Sequence, residues 1–127
     1  MPIRFNVVQR GNPAKPEAPK KYYPSIKSSD HMSLRQLAKA ASDRSTLSPP
    51  DMMAAIESFL AIIPDALAEG KVVELGDFGS FWLRSTSDGV ERAEEVNGSH
   101  IRTLIPRFMP GKRFKQALSA AKFKKLP

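Results

Sequence analysis

The stretch that decides the fold runs from Gly70 to Lys112. It opens Gly70-Lys71-Val72-Val73-Glu74-Leu75-Gly76-Asp77-Phe78-Gly79-Ser80-Phe81 and closes Pro106-Arg107-Phe108-Met109-Pro110-Gly111-Lys112. The opening reads as a strand, a glycine-containing turn and a second strand. Val73, Leu75, Phe78 and Phe81 supply apolar or β-favouring side chains, and Gly76 and Gly79 permit backbone angles that other residues resist. Towards the close, Ile101, Thr103 and Ile105 alternate with Arg102 and Leu104, the period of a strand. Pro106 cannot donate to a ladder and marks an edge or a bulge. Between these halves, residues 85–99 are polar apart from Val90 and Val96, the composition of a β-ribbon leaving the body of a small domain.

Upstream lie two helices. Ser33-Leu34-Arg35-Gln36 fits a capping box, in which the Ser33 hydroxyl and the Gln36 side chain satisfy orphan amides reciprocally. Leu34, Leu37, Ala38 and Ala41 continue it as an apolar stripe at helical spacing. Ser48-Pro49-Pro50-Asp51 starts a second helix, with proline pre-set for the first turn and Asp51 near the positive dipole end. Met52, Met53, Ile56, Phe59, Leu60, Ile63 and Leu67 form an apolar face wider than one short neighbouring helix needs. In a chain of 127 residues, such a face more readily buries against a second copy. Pro64 lies within this helix and Gly70 ends it.

Downstream, Gly111 to about Phe123 reads as a third helix, with Phe114, Ala117, Leu118 and Ala121 inward and Lys112, Arg113, Lys115 and Lys122 outward. From Arg102 onward there are eight basic residues and no acidic one. The N-terminal thirty residues are basic and proline-rich. Ile3, Phe5 and Val7 suggest a short strand, Lys15 to Lys21 an extended linker, and Lys21 to Lys27 a second strand that Pro24 confines to an edge. This segment reads as a strand added to a sheet edge plus a solvated linker. The other reading is a basic tether lying on nucleic acid. The order is α+β: two helices, a three-stranded antiparallel sheet with a ribbon arm at about 84–101, and a C-terminal helix. The division is 1–30 as an extension and 31–127 as the domain.

Twenty Lys+Arg against thirteen Asp+Glu give a formal charge of +7 and a pI near 9.9, which favours a polyanionic partner. Cysteine is absent, which removes disulfides and thiolate chemistry and suits a reducing compartment. No apolar run approaches a membrane span, and the N-terminus lacks the apolar core of a signal peptide. The expected location is cytoplasmic. His31 and His100 sit far apart, Ser33 and Ser48 read as caps, and Asp88, Glu91, Glu94 and Glu95 lack calcium-loop spacing. No catalytic constellation, metal site, cofactor or small-molecule substrate is expected, so the chain does not read as an enzyme. Trp82, Phe81 and Phe108 are candidates for base stacking, although strand alternation places some of them in the core.

Leu75-x-x-Phe78-Gly79-x-Phe81 and Pro106-x-Phe108-x-Pro110-Gly111-Lys112 resemble the signature segments of the HU and integration host factor family of bacterial histone-like proteins. The helix-turn-helix-strand order before them is also similar, and the likeness covers residues 33–123. The resemblance implies an intertwined homodimer with long second helices at its base. Its interface would draw on Met52, Ile56, Phe59, Leu60, Ile63, Phe78, Phe81 and Phe108. It also implies a nucleoid-associated protein that binds double-stranded DNA with low sequence specificity, through phosphates and the minor groove. The nucleic-acid-binding residues expected here are Lys112 and Arg113 at a helix N-terminus, Arg84, Arg102 and Arg107 on the ribbon strands, and Lys115. The chain departs from the family in its arm. No proline lies between Pro64 and Pro106, and four carboxylates stand against Arg84 and Arg92. Asp77 replaces a usual glycine. The picture is a divergent branch with an N-terminal extension. A second reading is a structural or protein-interaction module that kept the scaffold and lost DNA bending.

Overall fold

A computed structural model describes residues 1–28 and 30–127. In chain order the elements are strands β1 (Ile3–Arg10) and β2 (Lys21–Lys27), helices α1 (Leu34–Asp43) and α2 (Pro49–Ala68), strands β3 (Val73–Glu74), β4 (Gly79–Ser87) and β5 (Ile101–Pro110), helix α3 (Lys112–Ser119), and strand β6 (Phe123–Lys125). The fold is α+β. The chain divides into two units, one of residues 1–32 with 117–127, the other of residues 33–116.

In the central unit, local chemistry starts and stops the helices. Ser33 caps α1: its Oγ accepts from the Gln36 amide at 3.1 Å, and the Gln36 Oε1 accepts from the Ser33 amide at 2.8 Å. Ser48 caps α2 in the same sense, accepting from the Asp51 amide, with Pro49 and Pro50 filling positions whose amides would be orphaned anyway. The Ser42 hydroxyl donates to the Leu47 carbonyl at 2.8 Å and closes the turn between the helices. At the far end of α2, Gly70 (φ +85°) donates to Leu67 O, and Lys71 donates to Ala66 O. That paired pattern, with glycine in the left-handed region, is the Schellman stop.

The unit's sheet has the order β3-β4-β5, all antiparallel. Pro106 lies on the edge strand β5 opposite Leu83, and the ladder's irregularity falls between Thr86 and Ser87 instead. What the unit lacks is a filled interior. Among the described residues, the buried hydrophobic side chains are Ala38, 2 % exposed, and Leu67, 6 % exposed. Phe59, Leu60 and Ile62 on α2 are 64 %, 54 % and 60 % exposed.

The other unit is a three-stranded sheet of order β2-β1-β6. β1 and β2 form an antiparallel hairpin, and β6 joins β1 in parallel, Ile3 opposite Phe123 and Phe5 opposite Lys125. Pro24 lies on the edge strand β2, where its missing amide is tolerated.

The structure corrects three expectations. The third helix stops at Ser119, not near Phe123. The Ala121 amide turns back to Leu118 O, and the backbone beyond is taken up by β1, through Ile3 N to Lys122 O at 2.7 Å and Leu126 N to Phe5 O at 2.9 Å. Lys122 and its neighbours therefore do not extend a helix face. The segment 15–21 is not an extended linker: residues 15–20 belong to a hairpin loop, folded by Lys15 N to Asn12 O and Ala18 N to Lys15 O, both 3.0 Å, and Lys21 opens β2. The ribbon at 84–101 is paired no further than Ser87 and Ile101. Beyond them the chain turns through two single-turn 3₁₀ segments, Ala93–Glu95 and Gly98–His100, because Asn97 and Gly98 favour caps and turns over a ladder.

Candidate nucleic-acid interface

Register decides which side chains share a face of the ribbon. Trp82 is directly opposite Arg107 and Arg84 opposite Ile105. Because side chains alternate along a strand, Trp82, Arg84, Arg107 and Met109 lie on one face. Phe81, Leu83, Phe108 and Pro106 lie on the other. Arg84 and Arg107 are diagonal neighbours, both exposed, and neither is ion-paired among the described residues. The face therefore offers two free guanidinium groups beside a half-buried indole.

The opposite face anchors the ribbon. Phe81 and Phe108 stand 4.9 Å apart between ring centroids, Phe78 and Phe108 5.6 Å, and Phe114 of α3 meets Phe78 edge-on at 5.2 Å and Phe108 at 5.5 Å. Tilted and edge-on contacts at these separations are the favoured aromatic geometries. The signature residues of both motifs thus meet in one cluster. Phe78 and Phe81 come from the first, Phe108 from the second, and Phe114 from the helix that follows.

Two glycines let these pieces approach. Gly79 has φ +147°, and a Cβ there would fall 2.5 Å from Met109 O and 2.7 Å from the Phe108 ring. At Gly111 a Cβ would collide with the Asp77 carbonyl. Gly111 N donates to Phe78 O at 2.9 Å, while Gly111 O accepts from Lys115 N at 3.0 Å and opens α3. The backbone contact that forbids a side chain at Gly111 also fixes where Lys112 and Arg113 begin the helix. Lys112, Arg113 and Lys115 are exposed and make no ion pair among the described residues.

Arg102 behaves differently. Thr86 is opposite Thr103 and Ser87 opposite Ile101, so Arg102 is the extra residue of a β-bulge, which re-aims its side chain. Its Nε lies 2.6 Å from Asp88 Oδ1. Asp88 N in turn donates to His100 O at 2.8 Å, and His100 Nδ1 accepts from Asn97 N at 3.1 Å. Arg102 and His100 thereby hold the base of the loop, while Glu91, Glu94 and Glu95 are exposed on it. The Arg102–Asp88 pairing had no signature in the sequence, since nothing local to either residue marks the bulge.

The expected dimer-interface residues sort by element. On α2, Met52, Ile56 and Ile63 are half-buried, whereas Phe59 and Leu60 are exposed. Phe78, Phe81 and Phe108 belong to the aromatic cluster. Among the described residues no group of His, Asp and Glu side chains is arranged to hold a metal ion, and no helix is long and apolar enough to cross a membrane.

A helix pair followed by a three-stranded sheet with a protruding ladder is the HU-type fold. The chain superposes on the Anabaena HU–DNA cocrystal structure with a TM-score of 0.55 and 22% identity, covering 70% of this chain and 99% of that one. It also matches a putative bacterial DNA binding protein from Bacteroides vulgatus, with a TM-score of 0.68 and 11% identity over 98% of this chain. It spans about half the length of that Bacteroides protein, 48%.

In sequence, DNA-binding protein HU-alpha of Salmonella typhimurium is 33% identical over 90 residues, covering 68% of this chain and 99% of the relative. DNA-binding protein HU 1 of Bacillus subtilis is 33% identical over 91 residues, 69% and 98%. The family model HU-HIG, described as an HU domain fused to a wHTH, Ig or glycine-rich motif, matches residues 1–125. The chain belongs to this HU family.

Proposed function

We propose that the protein is a dimeric, nucleoid-associated DNA-binding protein of low sequence specificity, working in the bacterial cytoplasm through phosphate and minor-groove contacts. One observation carries the reading: Arg84 and Arg107 share a face of the ribbon with Trp82, and neither is ion-paired with a carboxylate among the described residues. Lys112 and Arg113 add cations where α3 begins, at amides that favour an anion, and Lys115 follows one turn on. Arg102 is assigned to holding the loop, not to phosphate. The HU relatives bear DNA-binding in their names, which agrees.

Dimerism rests on α2. Its exposed Phe59, Leu60 and Ile62, with a unit that buries two hydrophobic side chains among the described residues, need a second copy to exclude water. Met52, Ile56 and Ile63 line the same helix. The domain, taken as 31–127, thereby acts as a pair, with Phe78, Phe81 and Phe108 bracing the ribbon against it.

The arm does not insert a proline between base steps, since none lies between Pro64 and Pro106. Its exposed carboxylates are repelled by phosphates, so the loop 88–100 points its acidic tip away from the duplex. Binding is by contact along the backbone, and the driving force is counterion release. The test is a titration of labelled random-sequence duplex by fluorescence anisotropy at low and near-physiological salt. Binding that weakens steeply with salt is expected. No binding at low salt would overturn the proposal and favour a protein-interaction module.

A further inference from the structure

The two units of the chain carry different charge. Residues 1–32 with 117–127 contain nine Lys and Arg against two Asp and Glu, a net +7, while residues 33–116 contain eleven of each and are neutral. The whole of the chain's formal charge of +7 therefore resides in the small terminal unit, not in the HU-like unit.

Register concentrates it further. Arg4 is opposite Lys27 on one side and Lys124 on the other, so a row of three cations crosses all three strands. Six residues along β1, Arg10 is opposite Lys21. Alternation places both rows on one face of the sheet, with Tyr23 between them, opposite Val8. The other face is mostly apolar, pairing Ile3 with Phe123, Phe5 with Ile26 and Val7 with Pro24, with Lys125 opposite Phe5 as its one strand cation. All five cations are exposed and none is ion-paired among the described residues. The unit's carboxylates lie off the strands, Glu17 in the hairpin loop and Asp30 after β2, where it lines one groove together with Arg4 and Lys27 without an ion pair among the described residues.

Like charges directly opposite one another destabilise a sheet. A free protein gains nothing from such a row, whereas a bound polyanion converts each repulsion into attraction. The dimensions suit a duplex. Strands rise about 3.3 Å per residue and neighbours lie about 4.8 Å apart, so the two rows are about 20 Å apart and the first is about 10 Å wide. Each DNA strand presents a phosphate every 3.4 Å or so along the axis, so the roughly 20 Å between the two rows matches about six phosphates' worth of helix axis. Tyr23 offers a hydroxyl of the kind that commonly donates to phosphate or sugar oxygens.

We propose that the face of the terminal sheet bearing Arg4, Arg10, Lys21, Lys27 and Lys124 is a second duplex-DNA contact, separate from the ribbon, and that it supplies about half of the protein's salt-dependent affinity. This rests on the duplex-binding reading above. The basic tether, the second of the two readings of the N-terminal segment, is thereby replaced by a folded surface with fixed charge spacing.

The test compares three full-length proteins in salt titrations of duplex binding: the wild type, a variant with Arg4→Gln, Arg10→Gln, Lys21→Gln, Lys27→Gln and Lys124→Gln, and the double variant Arg84→Gln/Arg107→Gln. Each phosphate contact contributes about 0.9 to the log–log salt slope. The fivefold variant should lower the slope by about 4.5 units and the double variant by about two. A third variant, Lys21→Arg/Lys27→Arg/Lys124→Arg, keeps the charge and should keep the slope. An unchanged slope in the fivefold variant, with loss in the double variant, would overturn the second contact and leave the proposed function standing. Loss of slope in the Lys→Arg variant would also overturn it, by showing that shape and not charge had been removed. A wild type that ignores duplex at every salt concentration would instead overturn the proposed function itself.

Discussion

The HU-like unit and the terminal sheet invert each other's priorities. The first has a constrained scaffold, with interlocking glycines and four mutually packed phenylalanines, yet its charges cancel. The second has a simple scaffold, three short strands joined by a hairpin and a returning tail, yet it holds all the net charge. In a DNA-binding protein the part that sets geometry and the part that sets long-range attraction need not coincide. A neutral unit with two free arginines on its ribbon can position a duplex, while a basic sheet draws it in.

The comparison breaks most completely at α2. Phe59→Asp/Leu60→Asp buries two carboxylates in the proposed dimer contact and should remove at least about 4 kcal/mol of assembly stability. Sedimentation equilibrium should then show monomer. A variant that remains dimeric would place the contact elsewhere. Next in size is Gly111→Ala. Its Cβ meets the Asp77 carbonyl, and forcing the corner apart should lower stability by about 3 kcal/mol in a thermal or denaturant melt. An unchanged melt would mean that the corner yields cheaply and does not fix the start of α3.

Smaller effects sharpen the contrast. Arg84→Gln/Arg107→Gln should weaken duplex binding about tenfold at moderate salt with little change in melting temperature, a pattern that separates contact from scaffold. Smallest is Asp88→Asn. The exposed Arg102–Asp88 pair contributes no more than about 0.5 kcal/mol, so stability should hardly move. The freed guanidinium should raise the salt slope by about 0.9 if it reaches a phosphate. A slope that stays put would show that the bulge aims Arg102 away from DNA whether or not it is paired.

Much of the central unit is legible in the sequence because its instructions are local. Ser33 and Gln36 lie three residues apart, as do Ser48 and Asp51, and each pair closes its own hydrogen bonds. Gly70 can be read as a stop because the left-handed backbone it adopts is one that glycine enters without strain. That Trp82 shares a face with Arg84, and Ile105 with Arg107, follows from strand period alone.

What escaped reading depends on partners far away in the chain. β6 is a strand because β1, more than a hundred residues earlier, accepts and donates to it. Ala120, Ala121 and Lys122 taken alone favour helix. The same pairing completes the row Lys27–Arg4–Lys124, so the cationic face could not be seen before the register was known. Arg102 looked like its neighbours on β5, and its bulge shows in neither its identity nor its spacing.

The most direct measurement of the central account is acetylation footprinting of lysines, free and bound to random-sequence duplex, read by mass spectrometry. Lys21, Lys27 and Lys124 on the terminal sheet and Lys112 and Lys115 on α3 should be protected by DNA. Lys39 and Lys71, paired with Asp43 and Glu69, should show the same reactivity in both states. Protection confined to Lys112 and Lys115, with the terminal lysines as reactive as in free protein, would contradict the division of labour between the two units.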